Sequence, residues 1–271
     1  MPIPLYLAMQ FRRPMERGLN HPFLVLGAEE SEPDGPRIPL VVKSNAGFKN
    51  RPEFVIRELF TLLLARKVGI LVPDPVLVRF PDGFAYGAAE HPKFADLIRQ
   101  SPGWNLATVH LGTSWKPWPN TTPPKSIARE DLETAFCFDA MVQNTDREPE
   151  NPNLLWKGKQ LALIDFDKAF GYIRTFEADA QPWRRALVQQ NLTGHCLHRH
   201  LAALPDGELR GKSLWEAFVE WRVETGADAI SREIGTDLAD PGLDLPRFES
   251  YLTKLESHME DFFRYLTEVS H

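Results

Sequence analysis

The chain has 271 residues, 43% hydrophobic and 25% charged, a balance that suits one large globular domain or two lobes and excludes a low-complexity polypeptide. A formal net charge of −6 argues against a dedicated nucleic-acid binder, because phosphate contacts need concentrated Lys and Arg to displace counterions. Its two cysteines, Cys137 and Cys196, lack the spacing of a zinc pair or a disulfide framework, which fits a reducing cytoplasm.

The first stretch, MPIPLYLAMQFRRPMERG, carries its charges after the apolar run, the reverse of a secretory signal peptide. No window reaches the roughly 18 consecutive apolar residues of a membrane-spanning helix. The sequons at Asn120 and Asn191 are therefore expected to have no role. Residues 23–43 hold two apolar runs, FLVLGA and IPLVVK, around the turn-forming EESEPDGPR, which predicts a β-hairpin. In RPEFVIRELFTLLLARKVGI, Phe54, Ile56, Leu59, Phe60, Leu63 and Leu64 recur at helical spacing, with Pro52 suited to the first turn and Gly69 to the C-terminal cap. VLVRF and GFAYGAA, joined by PDG, predict a second hairpin over residues 76–89.

Helical segments and long loops follow, among them SPGWNLATVHLGTSWKPWPNTTPPKS, rich in Pro, Gly and Trp. REDLETAFCFDAMVQ reads as an amphipathic helix whose acidic start suits the helix dipole. The last hundred residues predict at least two helices, around KSLWEAFVEWRVETGADAI and DLPRFESYLTKLESHMEDFFRYLTEV. The expected fold class is α+β, with a small β-rich part over 1–89, a larger helical part over 90–271 and a hinge near residues 84–92.

Residues 143–172, QNTDREPENPNLLWKGKQLALIDFDKAFGY, crowd acidic and amide side chains around the short apolar run LALI. Asp146 sits in a loop after a helix, Asn151 follows five positions later, and LALI reads as a buried strand that delivers Asp165. Phosphoryl transfer needs a carboxylate to orient the attacking group and take its proton, and oxygen ligands for magnesium. Magnesium is a hard ion that takes carboxylate and amide oxygens, so Asn151 and Asp165 are candidate ligands. The protein-kinase signature has the same order of catalytic Asp, Asn five positions on, and metal-holding Asp after a short strand. Upstream, Lys43 ends the strand IPLVVK as a phosphate-pairing lysine does, and Glu58 lies on the next helix where it could pair with that lysine. The candidate phosphate loop, ERGLNHP with Gly18, departs from GxGxxG.

QNTDREPENPNLL and LALIDFD, with VVK and RELFTLLLARKVGILVPDP upstream, resemble the HipA-like kinases, whose catalytic loop looks like that of phosphatidylinositol kinases. The resemblance covers residues 18–172. It implies a two-lobed kinase fold, ATP with Mg2+, and transfer to a protein hydroxyl. By matched position, Asp146 would be the catalytic base, Asn151 and Asp165 the metal ligands, Lys43 the phosphate contact and Glu58 its partner. The sequence has no His-Arg before Asp146, and Asp167 stands where a glycine would follow Phe166. The family's toxin–antitoxin settings imply a translation-related protein substrate and an antitoxin-like partner, while the charge and hydropathy already read give the expectation of no specific nucleic acid and no membrane.

Each residue also has a plainer reading. Asp167 and Lys168 could touch phosphate or metal, but an ordinary surface ion pair is the preferred role. Asn153 reads as a turn residue. Arg147 is compatible with an ion pair inside the loop or a contact to an acidic substrate. GHCLHRHL, with His195, Cys196, His198 and His200, reads as a polar helix end rather than a zinc site, since structural sites combine pairs from separated segments. Trp104, Trp115 and Trp118 are expected to pack, and His110 to be structural. The leading expectation is an ATP-dependent Ser/Thr protein kinase. The alternatives are a nucleotide-binding pseudokinase, or a kinase-fold enzyme that phosphorylates a small molecule or transfers AMP.

Overall fold

The computed structural model describes residues 3–15, 18, 20–49, 51–119, 124–202, 211–226, 228–234 and 245–270. The fold is mixed α+β. Two compact units compose it: one takes Met1–Leu59, Pro73–Gly112 and Arg232–Leu243, the other Phe60–Val72, Thr113–Ser231 and Asp244–His271. Among the described residues no helix is long and apolar enough to cross a membrane.

In the first unit, strands β1 (Leu5–Pro14), β2 (Phe23–Glu29), β3 (Ile38–Lys43), β4 (Pro75–Arg79) and β5 (Trp104–Val109) close a barrel in the order β1-β2-β3-β5-β4. Antiparallel ladders run around it, and a parallel β1–β4 pairing, Leu5 to Leu77, seals it. The two-residue period of a strand explains the core: Phe23 and Val25, Leu40 and Val42, Val76 and Val78 point inward and are buried. Val41 and Lys43, on the alternate face of β3, are half-buried outside it.

The hairpin expected over 23–43 is formed by β2 and β3. The one expected over 76–89 is not: β4 pairs with β1 and β5, and GFAYGAA makes a 3-10 turn, Phe84–Ala88. Gly83 starts that turn at φ 78, and Phe84 and Ala88, four residues apart, drop onto the barrel core, where Phe84 stacks on Phe80 at 5.4 Å. The missing partner of β4 is β5, drawn from the segment read as a long loop.

Helix α1 (Pro52–Lys67) begins in the first unit and ends in the second. Gly69 stops it at φ 77, and Ile70 donates its N–H to the Ala65 carbonyl at 2.8 Å, a cap that needs the left-handed conformation glycine allows. In the first unit α2 (Pro92–Arg99) sets Ala95 and Ile98 against the barrel core.

The second unit holds a small sheet, β6 (Lys116–Pro117), β7 (Leu154–Lys157) and β8 (Gln160–Leu163), with α3 (Arg129–Met141), α4 (Ala186–Gly194), α5 (His198–Ala202), α6 (Lys212–Thr225), α8 (Leu245–Ser257) and α9 (Met259–Ser270); α7 is the short Ala229–Ile234. α3 is not the amphipathic helix expected: from Leu132 to Met141 every residue but Thr134 is buried, including Glu133 and Asp139. A helix buried all round carries no polar face for periodicity to find. The second C-terminal helix expected is split into α8 and α9. Asp261 of α9 takes Arg184 Nη2 at 2.6 Å and Nε at 3.0 Å and Trp183 Nε1 at 3.2 Å, which pins residues 182–184 to α9.

Candidate active site

In the first unit, β3 ends on Lys43 and the first half of α1 presents Glu58 towards it. Lys43 Nζ lies 2.7 Å and 2.5 Å from the two Glu58 carboxylate oxygens, and Glu58 is 2% exposed. The expected pair is therefore made. Just beyond Lys43, Asn45 N–H donates to Asn105 Oδ1 at 2.8 Å and Ala46 N–H to Ser101 Oγ at 3.0 Å, so buried side chains fix the backbone that leaves the strand. The candidate phosphate loop lies at the β1–β2 turn, where Gly18 has φ 118 and Met15 N–H donates to the Pro22 carbonyl at 2.9 Å. Glu16, Arg17 and Leu19 of that loop, and the sequon residue Asn120, lie outside the described residues.

In the second unit the loop after α3 carries Asp146 and Asn151. Asn151 Nδ2 donates to Asp146 Oδ2 at 3.1 Å, and Asn153, at φ 47, turns the chain with its own Nδ2 at 3.4 Å from the same oxygen. Asn144 shapes the approach: its Nδ2 donates to Asp139 Oδ1 at 2.8 Å and its Oδ1 accepts the Asp146 N–H at 3.2 Å. The sequon residue Asn191 donates to the Asn144 carbonyl at 2.7 Å.

β8 buries Leu161, Ala162 and Leu163 and delivers Asp165, which sits in the left-handed region at φ 63. Asp165 and Asp167 lie near enough to Asp146 to act on it: burial first, then these two carboxylates, push the Asp146 carboxyl up to about 6. Asp167 is 6% exposed, so the surface role expected for it does not hold.

These groups suit a hard divalent cation. Among the described residues no three His, Cys, Asp or Glu side chains form a metal cage, and magnesium needs none: it binds through one or two protein oxygens plus phosphates and water. Carboxylates whose charges disfavour one another are an arrangement that a cation would relieve.

Arg147 is wholly buried. Its Nε and Nη2 bind Asp139 Oδ2 at 2.8 Å and Oδ1 at 3.0 Å, and Nη1 donates to the Ile164 carbonyl at 2.8 Å and to the Asn153 carbonyl. Of its two readings, the ion pair is the one formed, and its partner comes from α3 rather than from the loop. His195 Nε2 reaches Asp139 Oδ2 at 3.1 Å, and Cys196 N–H donates to the Arg147 carbonyl at 2.7 Å. The expected polar helix end is thus a buried joint. Burial holds the His195 imidazole below its ordinary pKa despite that carboxylate, and burial pushes the Cys196 thiol up to about 12. Sequence reasoning missed Asp139, although a carboxylate inside FCFDAM, flanked by Phe138 and Ala140, is the mark of a buried charge that needs a partner.

Beside the loop a cavity of about 570 Å³ is lined by Glu148, Tyr172, Leu187, Gln190 and Thr193 among others. Trp118 is buried, Trp104 lies under the Arg79 guanidinium at 5.4 Å, and His110 Nδ1 accepts the Gly112 N–H at 3.0 Å.

The family model described as HipA-like kinase matches residues 8–182. Among solved structures, the Helicobacter pylori proinflammatory kinase CtkA is similar at 11% sequence identity and a TM-score of 0.45, over 92% of this chain and 95% of that one. No curated protein matches the chain.

Proposed function

The chain belongs to the HipA-like kinase family, and from that premise we propose that it transfers the γ-phosphate of ATP to a Ser or Thr hydroxyl of a protein. Asp146 orients the acceptor hydroxyl and takes its proton as the oxygen attacks phosphorus in line. The bond from the γ-phosphorus to the bridging oxygen breaks, and ADP leaves with that oxygen. Asn151 and Asp165 would hold Mg2+, which when bound neutralises charge on the phosphates. Lys43, steadied by Glu58, contacts the phosphates. The barrel-bearing N-terminal part and the helical remainder serve as the small and large lobes of the kinase.

The observation that carries this reading is the gathering of Asp146, Asn151 and Asp165, with the Asp146 carboxyl raised to about 6. A general base works best with a pKa near the operating pH, and this crowding brings Asp146 towards that range. We place the entry of the acceptor at the cavity beside the loop, which is walled by Glu148 and by the α4 residues Leu187, Gln190 and Thr193. A translation-related substrate and an antitoxin-like partner remain part of the proposal on the family's account.

The test is incubation with γ-labelled ATP, Mg2+ and a host lysate, followed by mass spectrometry of the labelled protein. Asp146→Asn is expected to fold and to transfer nothing. A variant as fast as the wild type removes Asp146 from the mechanism.

A further inference from the structure

Asp146 and Asp165 come from different segments, and neither can serve the reaction unless their separation is fixed. Arg147 is a buried charged side chain that spans the gap. Its backbone adjoins Asp146. Its Nη1 binds the carbonyl of Ile164, the residue before Asp165, at 2.8 Å, and also the carbonyl of Asn153, whose other donor is the Ile164 N–H at 3.0 Å. The rest of the fork is held on α3 by Asp139, which His195 braces from the far side. The ring of Phe166 lies under the guanidinium at 5.1 Å, so the segment is gripped on both flanks of Asp165.

The left-handed backbone of Asp165 gives this grip its purpose. Asp enters that conformation more readily than most residues, and here the carbonyl just before it is tied to a buried cation, which fixes the direction in which Asp165 leaves the strand. Only a planar fork can serve Asp139, Asn153 and Ile164 together. The compact ammonium of Lys carries the same charge but no such geometry.

We propose that Arg147 is a positioning residue that sets where Asp165 stands relative to Asp146 and Asn151, and so sets the affinity for the divalent cation. The proposal rests on the kinase reading of this loop.

Arg147→Lys and Arg147→Ala test it against the wild type, with Mg2+ titrated at saturating ATP and the folded fraction measured by thermal melting. Outer partners of metal ligands commonly control affinity by about 10–100-fold, and the Mg2+ half-saturation of Arg147→Lys is expected to rise by that factor, with kcat falling comparably. Guanidinium ion at non-denaturing concentration is expected to restore part of the Arg147→Ala activity, and methylammonium none. A residue that only stabilised the fold would lower the folded fraction and leave the Mg2+ half-saturation of the remainder unchanged, which overturns the proposal. Should both variants fail to fold, scalar couplings across the hydrogen bonds from Arg147 Nη1 to the Asn153 and Ile164 carbonyls in the wild type decide the matter. Their persistence with Mg2+ and ATP supports the role, and their absence ends it. An active wild type with an indifferent Arg147→Lys overturns this inference alone. A wild type that neither binds ATP with Mg2+ nor transfers phosphate overturns the kinase reading and this inference with it.

Discussion

Lys43 Nζ meets both carboxylate oxygens of Glu58, with the two side chains only 13% and 3% exposed. Taking both charges out of water costs about as much as their attraction returns, so such a pair is poor evidence for stability and better evidence for placement. Glu58→Gln is expected to cost up to about 3–5 kcal/mol, as removal of one buried partner does, and to lower transfer at least tenfold. The double variant Lys43→Met with Glu58→Leu should regain most of that stability and still fail to transfer. Melting curves and labelled-ATP assays on the same samples separate the effects. A double variant that transfers phosphate normally would show the pair to be structural only.

Asp146 is raised to about 6 because burial and two neighbouring carboxylates, Asp165 and Asp167, disfavour its charge. The sign follows: in the magnesium-free protein Asp146 holds its proton below about pH 6 and releases it above, and a bound cation, by offsetting the charges of Asp165 and Asp167, would move that point down. In magnesium-free protein, carboxyl carbon NMR should find Asp146 titrating near 6, and Asp165→Asn should move it down towards the ordinary value of about 3.9. Ionising a raised carboxyl also costs stability as pH rises from about 4 to 6, so Asp146→Asn should be the more stable protein at pH 7, by about 1 kcal/mol after solvent screening. Equal stability of the two proteins at pH 7 would contradict the crowding.

The opposite sign holds at Asp139. Burial alone would raise its carboxyl, but Arg147 and His195 outweigh burial and hold it well below the usual carboxylate range. Its contribution is therefore complete above the ordinary value of about 3.9 and is lost as pH falls below it. Asp139→Asn leaves Arg147 buried without a countercharge at this contact and should cost about 3–5 kcal/mol at pH 7. That deficit should shrink in urea titrations below pH 4, and a deficit independent of pH would refute the assignment.

The parts of the site that the sequence revealed are those set by short-range rules. Lys43 could be placed at a strand end, and Glu58 on the helix after it, because strand alternation and helical periodicity act over a few residues. The same holds for Asp165 at the end of LALI. What stayed hidden depends on partners far along the chain. β4 takes β1 and β5 rather than the segment after PDG, which only barrel closure decides. Arg147 finds Asp139 on α3, and His195 arrives from beyond α4, so the joint could not be read from the loop. The C-terminal helices, which suggested nothing by motif, turn out to support the segment after Asp165.

That support is aromatic. Phe248 of α8 stacks on Phe170 at 4.4 Å, Phe60 of α1 meets both rings at 5.1 Å and 5.5 Å, and Phe170 N–H donates to the Val142 carbonyl at 2.6 Å. Phe248→Ala opens a cavity at the centre of this cluster and should cost about 3–5 kcal/mol. Phe248→Leu, which retains most of the volume, should cost much less. Denaturant titrations that gave equal losses for both would mean that packing at α8 does not hold the segment.

The proposed acceptor cavity is open to a direct test at Leu187 on α4, which is 51% exposed and lines it. No apolar core depends on so exposed a side chain, so Leu187→Arg should melt with the wild type, within about 0.5 kcal/mol. A bulky cation there would obstruct a polypeptide entering beside Glu148 and leaves Lys43, Asn151 and Asp165, the residues proposed to handle ATP, untouched. Transfer to the protein acceptor should therefore fall at least tenfold through KM, while Mg2+-dependent ATP binding by calorimetry stays as in the wild type. If acceptor KM is unmoved, the acceptor approaches Asp146 from another side. If ATP binding weakens as well, the cavity belongs to the nucleotide.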